Sequence, residues 1–204
     1  MNINEPIIWT GELNDDCTAR WNGLILRAEW MDEDIWWWAV SKDNNDPMDE
    51  IDSSNNYKIT CIGGEQARQF AEQAAKKFIQ EKIQETIQKI ISIPNDFHRV
   101  QTKSWNTLLQ ESGYFELYEN ITESEIINGL VSNPDTILQW LQWSDDQRTS
   151  SACSFSKRGN SDYFVGRYPT GKEFIELITP NEFQACAYFI IQNIESTRKR
   201  LRDD

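Results

Sequence analysis

Residues 17–30 read CTARWNGLILRAEW, and this stretch decides how the N-terminal part of the chain folds. Apolar residues occupy every second position before the Asn22-Gly23 pair and resume with the opposite parity after it. A period of two is typical of a strand with one buried face. Asn-Gly is a strong signal for a tight hairpin turn or a bulge. The stretch therefore predicts two antiparallel strands joined at Asn22-Gly23.

Further strands are predicted on both sides of this hairpin. Ile7-Ile8-Trp9 precedes it, and residues 35–40 follow it with three consecutive tryptophans. Aromatic and β-branched residues favour strands. The polar, acidic residues 42–56 predict a long loop, and residues 57–62 a last short strand. Alanine and apolar residues at helical spacing then predict a long helix over residues 65–91 that ends before Pro94.

The second half of the chain alternates short helices and strands. The spacing predicts a helix over residues 104–110, an extended segment over 114–118, and a helix over 122–131 that begins with a capping box. A further helix is predicted to start at Pro134, capped by Asn133, and to reach Trp143. Three strands, over residues 152–156, 163–168 and 173–178, precede a final helix that is predicted to start at Pro180 with a capping box from Thr179 to Glu182.

The chain is thus predicted to be an α+β protein of two small units, residues 1–92 and 93–204. Each unit is an antiparallel strand meander followed by an amphipathic helix, and short helices join the two. The absence of a long apolar run or a secretory signal predicts a cytoplasmic protein that does not enter a membrane.

Charge restricts the classes of partner. The chain has 204 residues, a formal net charge of −13 and an aromatic content of 12%. Direct nucleic-acid binding is not expected, because it requires a basic surface. Wholesale disorder is not expected either, because disordered chains are poor in aromatic residues.

Sequence motifs for catalysis, cofactors or metals are missing. The four cysteines form no C-x-x-C pair, which favours small buried thiols in a reducing compartment. The single histidine, His98, follows no recognisable nucleophile motif, so we expect it on the surface or at a helix end. The prediction is a protein that is not an enzyme and needs no cofactor and no metal. A carboxylate site of unrecognised pattern stays open as an alternative.

Residues 29–52 are the candidate binding segment, because they hold nine carboxylates and one lysine. Their spacing does not match an EF-hand. Three interpretations stay open: a bound cation, an ordinary solvated loop, and an acidic surface that docks on a basic protein. For the last interpretation the predicted partner-binding residues are Asp32, Glu33, Asp34, Trp37, Asp43, Asp46, Asp49, Glu50 and Asp52.

Six of the nine tryptophans lie between Trp9 and Trp38. Adjacent residues of a strand point to opposite faces, so Trp37 is expected on the face opposite to Trp36 and Trp38. The cluster could be core, a stacking platform for sugars or bases, or an exposed patch for a protein partner.

Two segments carry a resemblance to known proteins. Residues 140–150 (WLQWSDDQRTS), with YFVGRYP at 163–169 and ACAYFII at 185–191, make the last 65 residues resemble small bacterial immunity-type proteins encoded beside polymorphic or contact-dependent toxins. The first 90 residues, with Asp16-Cys17-Thr18-Ala19 and the tryptophan-rich strand, are similar to short proteins of phages and mobile elements. Both resemblances imply a binding protein without catalytic residues.

Charge, aromatic content and resemblance together give the leading hypothesis: an acidic protein that neutralises a macromolecular partner, most simply an immunity protein that blocks a toxin. The partner would be a basic protein, either a toxin or a nucleic-acid-binding complex. The alternatives are a phage or mobile-element inhibitor that mimics nucleic acid, and an enzyme with a convergent carboxylate site. The sequence leaves the oligomeric state open.

Overall fold

A computed structural model of the chain describes residues 2–33, 35–44, 49–57, 61–99, 102–146, 153–159, 161–168 and 173–203. The chain divides into two compact units, Met1–Ile83 and Gln84–Asp204. The division falls within a long helix, upstream of the boundary between residues 92 and 93 that the sequence predicts. Each unit has its own antiparallel sheet.

The described part of the N-terminal unit forms a six-stranded antiparallel sheet. Its strands are β1 (Trp9–Gly11), β2 (Asp16–Trp21), β3 (Leu24–Asp32), β4 (Ile35–Lys42), β5 (Glu50–Ser53) and β6 (Cys61–Ile62). The first five lie in sequence order, and β6 pairs with the beginning of β4. Helix α1 (Gly64–Arg99) begins directly after β6.

The predicted hairpin between β2 and β3 is confirmed. Trp21 pairs with Leu24 across the turn, and Asn22 and Gly23 both have positive φ angles, of 52° and 75°. Such a turn follows the right-handed twist of the strands that flank it. The predicted change of parity therefore results from a tight turn, and the apolar residues of both strands lie on one face.

Small side chains bring the first part of α1 close to that face. Ala67, Ala71 and Ala75 are fully buried along one side of the helix. A Cβ atom on Gly64 would lie 2.7 Å from the ring of Trp36, so the backbone already contacts the indole there. The large side chains of the interface come from the sheet, whose buried tryptophans are Trp21, Trp36 and Trp38.

Part of the predicted loop over residues 42–56 is regular structure, so that prediction is wrong in its second half. Glu50–Ser53 form β5, and Ser54–Asn56 form a 3-10 turn. The pairs Ala39–Ser53 and Val40–Asp52 hold β5 on the edge of β4. When a segment pairs with an existing strand, its backbone NH and CO groups form hydrogen bonds whatever its side chains are. A strand formed in this way has no characteristic side-chain pattern, so the sequence does not reveal it. Of the predicted strand over residues 57–62, Cys61–Ile62 is observed, and residues 58–60 lie outside the described residues.

The C-terminal unit begins with the second part of α1. Its other elements are α2 (Trp105–Glu111), α3 (Tyr114–Leu117), α4 (Glu123–Ser132), α5 (Thr136–Asp145), β7 (Cys153–Arg158), β8 (Asp162–Arg167), β9 (Phe174–Thr179) and α6 (Glu182–Asp203). The three strands form a meander in the order β7-β8-β9, as predicted. The capping box at the start of α4 is also confirmed: Thr122 and Glu125 bond to each other's backbone NH groups.

Aromatic rings fill the core of the C-terminal unit. Phe189 of α6 stacks on Phe155 of β7 at 5.4 Å and meets the edge of Trp140 at 6.0 Å. Trp140 and Trp143, one turn apart on α5, also contact Trp105 of α2. The described helices and strands of this unit thus share one core with Trp140, which is 0% exposed, in its middle.

Helix α1 continues past Pro94, and the prediction that it ends before this residue is wrong. Proline has no NH to donate to the carbonyl four residues earlier, which weakens the helix locally. In this chain Pro94 is buried, and the neighbouring carbonyl of Ile91 accepts a hydrogen bond of 3.0 Å from the Trp140 indole NH. Tertiary contacts therefore stabilise the turn that the proline weakens.

Three further boundaries differ from the predictions. The segment predicted as extended at residues 114–118 contains the short helix α3, which follows Gly113 at a φ of 86°. Helix α5 starts at Thr136, after Pro134. Helix α6 starts at Glu182, because Asn181 Oδ1 accepts from the NH groups of Phe183 and Gln184 and so is the N-cap. In both cases the helix starts two residues after the proline that was predicted to open it.

The structure confirms the predicted α+β class with antiparallel sheets. The idea that the two units repeat one plan stays a prediction. Within the described residues, every helix is too short or too polar to cross a lipid bilayer.

Candidate functional site

The predicted partner-binding residues lie at two ends of the N-terminal sheet. Asp34 and Asp46 lie outside the described residues. Asp32 and Glu33 lie where β3 turns into β4, whereas Asp43 and Asp49 lie beyond the other end of β4. Strand β4 has eight residues, so the two ends are roughly 24 Å apart at about 3.4 Å per residue. One continuous acidic stretch of sequence therefore becomes two separate acidic groups.

We call the first group the hairpin end and define it as Trp30, Met31, Asp32, Glu33, Ile35 and Ile62. Its four large apolar side chains are exposed: Trp30 by 47%, Met31 by 58%, Ile35 by 47% and Ile62 by 71%. Ile35 pairs with Asp32 on one side and with Ile62 on the other, so β3, β4 and β6 meet here. Trp30 pairs with Trp36 and so lies on the α1 side of the sheet, whereas Ile35 and Ile62 pair with each other and lie on the opposite side. The exposed apolar side chains therefore lie on both faces at this end of the sheet, and exposed apolar patches mark interaction surfaces.

Carboxylates border this apolar patch. Asp32 and Glu33 are both exposed, and neither makes an ion pair within the described part of the chain. The Trp30 indole NH donates to the backbone carbonyl of Glu33 at 2.6 Å, which fixes the ring against the turn. Glu33 itself has a φ of 42°, an uncommon angle for a residue other than glycine. The hairpin end thus combines a fixed aromatic ring with negative charge that the described residues do not neutralise.

The second group, which we call the loop end, consists of Asp43, Asp49 and Glu50. Asp43 forms an ion pair with Arg20, and Asp49 lies 3.5 Å from the Lys42 ammonium. A hydrogen bond from Asn44 lowers the pKa of Asp49, and the charge of Lys42 adds to the effect. Glu50 accepts a hydrogen bond of 2.8 Å from the Ser53 hydroxyl. The carboxylates of the loop end are therefore already paired or hydrogen-bonded with other side chains of the same chain.

The three consecutive tryptophans divide between the two faces, as predicted. Trp36 and Trp38 are buried beneath α1, whereas Trp37 is half-buried on the opposite face, across from Glu29. Asp52 pairs with Val40, which belongs to the buried face. Trp37 and Asp52 are thus on opposite faces of the sheet, and the fold does not bring these two predicted residues together.

Asp52 borders a cavity of about 320 Å³ between the β5 edge of the sheet and α1. The cavity lies within the N-terminal unit and is lined by Trp38, Asp52, Tyr57, Cys61, Phe70, Gln73, Ala74 and Lys77. Cys61 is buried in the lining of the cavity, and burial raises the pKa of its thiol. No pattern in the sequence predicts the cavity, because its three aromatic rings come from three separate segments of the chain.

Arg198 lies among the basic residues near the end of α6 but is not a solvated side chain. Arg198 is 9% exposed, stacks on the Tyr118 ring at 4.0 Å and makes two hydrogen bonds, of 2.8 and 2.7 Å, to Glu195. Tyr114 also donates its hydroxyl proton to Glu195. Burial, together with this hydrogen bond, raises the pKa of Tyr114. Glu195 and Arg198 therefore belong to a structural network within the C-terminal unit.

Glu195 makes the stability of the C-terminal unit depend on pH. The hydrogen bonds from Arg198 lower its pKa, so the folded state favours the ionised carboxylate. An unfolded glutamate titrates near about pH 4.3, so the stabilisation is complete above that value and is lost as the pH falls through the lower, folded pKa. We expect Glu195→Gln to flatten the decline of the melting temperature below about pH 5.

The exposed pair Asp96–Arg99 has the same spacing of three residues and serves as the control. Exposed ion pairs contribute little to stability, so Asp96→Asn should leave the acid decline as in the wild type. An equally steep decline in Glu195→Gln would contradict the role of Glu195. Melting curves by circular dichroism at a series of pH values measure both variants.

Other charged residues of the C-terminal unit pair at the surface. Arg158 makes two bonds of 2.6 Å to Glu173, and Arg167 bonds to Glu176 at 2.7 Å. His98 is exposed in the last turn of α1, as predicted. Among the described residues, no group of three or more His, Cys, Asp or Glu side chains is placed to hold a metal ion.

Comparisons of this chain with protein-family models, with curated proteins and with solved structures find no match.

Proposed function

We propose that this chain is a non-catalytic protein that binds and neutralises a basic protein partner through the hairpin end. More specifically, we propose that it is an immunity protein and that the partner is a toxin. The observation that carries the proposal is the combination of exposed Trp30, Met31, Ile35 and Ile62 with the carboxylates of Asp32 and Glu33, which form no ion pair with any described residue. The resemblance of residues 140–204 to immunity-type proteins supports the specific form.

The chemistry of the hairpin end suits a protein partner. Tryptophan and methionine are enriched at the centres of protein interfaces, where a few residues contribute most of the binding energy. A rim of like charge increases the association rate with an oppositely charged surface and makes this rate sensitive to salt. A cationic cleft, such as the substrate site of a nuclease, offers both a positive rim and a recess for an aromatic anchor.

The hairpin end is a better docking surface than the loop end because of what its carboxylates already contact. A partner that binds Asp43 or Asp49 would have to displace Arg20 or Lys42, and the exchange of one ion pair for another gains little. Asp32 and Glu33 have no such competitor among the described residues. The proposal therefore restricts the predicted binding segment of residues 32–52 to its first part.

The sheet face opposite α1 supports a protein-binding role over nucleic-acid mimicry. A mimic requires carboxylates spaced along one face without cations among them. On this face Asp16 pairs with Glu29, Thr18 with Arg27, and Arg20 with Ile25, so two arginines share the face with the acids. The charge on this face is mixed.

Two double variants with equal net charge test the proposal. The hairpin variant carries Asp32→Lys and Glu33→Lys, and the loop variant carries Asp43→Lys and Asp49→Lys. The probes are the purified protein products of the genes that flank this one, tested by co-purification and by protection of cells that express them. We expect the wild type and the loop variant to bind and protect, and the hairpin variant to lose at least tenfold in affinity, or about 1.4 kcal/mol.

Each other outcome counts against the proposal. If the loop variant loses affinity and the hairpin variant does not, the binding surface is at the other end of the sheet. If both lose it equally, net charge rather than location controls binding. If none of the flanking products binds, the immunity-protein form is wrong. Melting temperatures of both variants establish that each is folded.

A further inference from the structure

The cavity beside β5 and α1 combines three features that suit one class of ligand. Its walls carry three aromatic rings, its rim carries a carboxylate, and its volume of about 320 Å³ is enough for a small organic group. Trp38 lies 5.8 Å from Tyr57 and 6.4 Å from Phe70 between ring centroids, so the rings form one continuous aromatic surface. This surface presents electron-rich faces, to which cations are attracted.

The carboxylate of Asp52 is held in place by neutral donors. Its two oxygens accept hydrogen bonds from the Ser53 NH at 2.9 Å, from Asn56 Nδ2 at 3.0 Å and from the Tyr57 hydroxyl at 2.7 Å. None of these donors carries a charge, and Asp52 has no ion-pair partner within the described ranges. A carboxylate has about four acceptor positions, so one position and the whole negative charge stay available to a ligand.

Among the described residues that line the cavity, the one cation is Lys77, which forms an ion pair with a carboxylate outside the lining. The Lys77 side chain is 76% exposed, and its ammonium lies 3.9 Å from Glu81, one turn further along α1. An exposed ammonium that shares its charge with a glutamate is well hydrated and repels a nearby cation weakly. Of the two charged side chains on the described lining, Lys77 has an ion-pair partner and Asp52 has none among the described residues.

We propose that this cavity is a binding site for a small organic cation with an apolar body, of the alkylated ammonium type. The alkyl groups pack on the rings of Tyr57 and Phe70, and the positive centre lies between these rings and the Asp52 carboxylate. Quaternary ammonium groups are recognised in this way, since they offer charge and apolar surface but no hydrogen-bond donor. The proposal is independent of the hairpin end, and either can fail alone.

Choline chloride and its neutral analogue 3,3-dimethylbutan-1-ol test the proposal on the unmodified chain. The two molecules have nearly the same shape and differ in charge. We expect choline to shift the backbone amide resonances of Gln73, Ala74 and Lys77 in a saturable way, with an affinity at least tenfold higher than that of the alcohol. Equal affinity for both would overturn the proposal, and so would the absence of a saturable choline shift up to roughly 100 mM, far above any Kd that marks a specific site.

Three variants test which side chains of the chain recognise the charge of the ligand. Asp52→Asn keeps the shape of the side chain and should lower the choline affinity about tenfold, whereas Asp49→Asn, on a carboxylate outside the cavity, should leave it unchanged. Lys77→Gln removes a positive charge from the lining and should raise the affinity for the cation slightly. If Lys77→Gln weakens binding and Asp52→Asn strengthens it, the ligand is an anion and the proposal is wrong. The comparison of choline with the alcohol needs no variant, so it stays valid if Asp52→Asn does not fold.

Discussion

Trp140→Ala is expected to lower the free energy of unfolding of the C-terminal unit by about 3–5 kcal/mol, the usual cost of truncating a fully buried aromatic residue. Trp140 is fully buried and contacts Trp105, Trp143 and Phe189. Its indole NH also satisfies the Ile91 carbonyl beside Pro94. A loss of this size approaches the whole stability of a small domain.

Amide hydrogen exchange measures this effect for each unit separately. We expect α5 and α6 to lose most of their protection in Trp140→Ala, while β2, β3 and β4 of the N-terminal unit keep theirs. Trp30→Ala is the control, because Trp30 is 47% exposed and its truncation should change stability by less than about 1 kcal/mol. Unchanged protection of α5 in Trp140→Ala would contradict the central place of this residue in the core.

Ala71→Leu is expected to lower the free energy of unfolding of the N-terminal unit by about 3 kcal/mol, the upper part of the usual range for overpacking. Ala71 is fully buried where α1 lies against the sheet, between the equally buried Ala67 and Ala75. Gly64 and Trp36 show how close the helix approaches, since a Cβ at position 64 would lie within 3 Å of the ring. A leucine at position 71 must therefore push the helix away from the tryptophans.

The same substitution on the outer side of the helix provides the control for Ala71→Leu. Gln80 is exposed on α1, and leucine has a similar helix propensity, so Gln80→Leu should change stability by less than about 0.5 kcal/mol. Urea unfolding, followed by the circular dichroism of the tryptophans, measures both variants. Equal stability of Ala71→Leu and the wild type would show that the helix does not need alanine at this interface.

The sequence predicted the elements whose signals are local. The Asn22-Gly23 turn, the alternation through β2 and β3 and the capping box at Thr122 each depend on a few neighbouring residues, and all are present. The errors arose where distant contacts decide. The helix continues through Pro94, where Pro94 is buried and Trp140, far away along the chain, bonds to the neighbouring Ile91 carbonyl. Strand β5 exists because β4 offers an edge to pair with.

The residues of the hairpin end were predicted only in part: the sequence pointed to Asp32 and Glu33 and not to Trp30, Met31, Ile35 or Ile62. Asp32 and Asp43 are eleven positions apart in the sequence, yet an intervening strand places them at opposite ends of a sheet. The ion pair of Asp43 with Arg20 depends on strand register, which composition does not contain. The exposed Ile62 joins the hairpin end only because β6 pairs with β4. The cavity had no signal in the sequence for the same reason.

The most direct test of the hairpin end as a docking surface is the dissociation constant for the purified partner, measured at about 50 mM and about 300 mM salt for the wild type, the hairpin variant and the loop variant. We expect salt to weaken binding of the wild type and the loop variant alike. We expect the hairpin variant to bind at least tenfold more weakly at low salt and to respond little to added salt. A hairpin variant with the affinity and the salt dependence of the wild type would show that the hairpin end is not the docking surface.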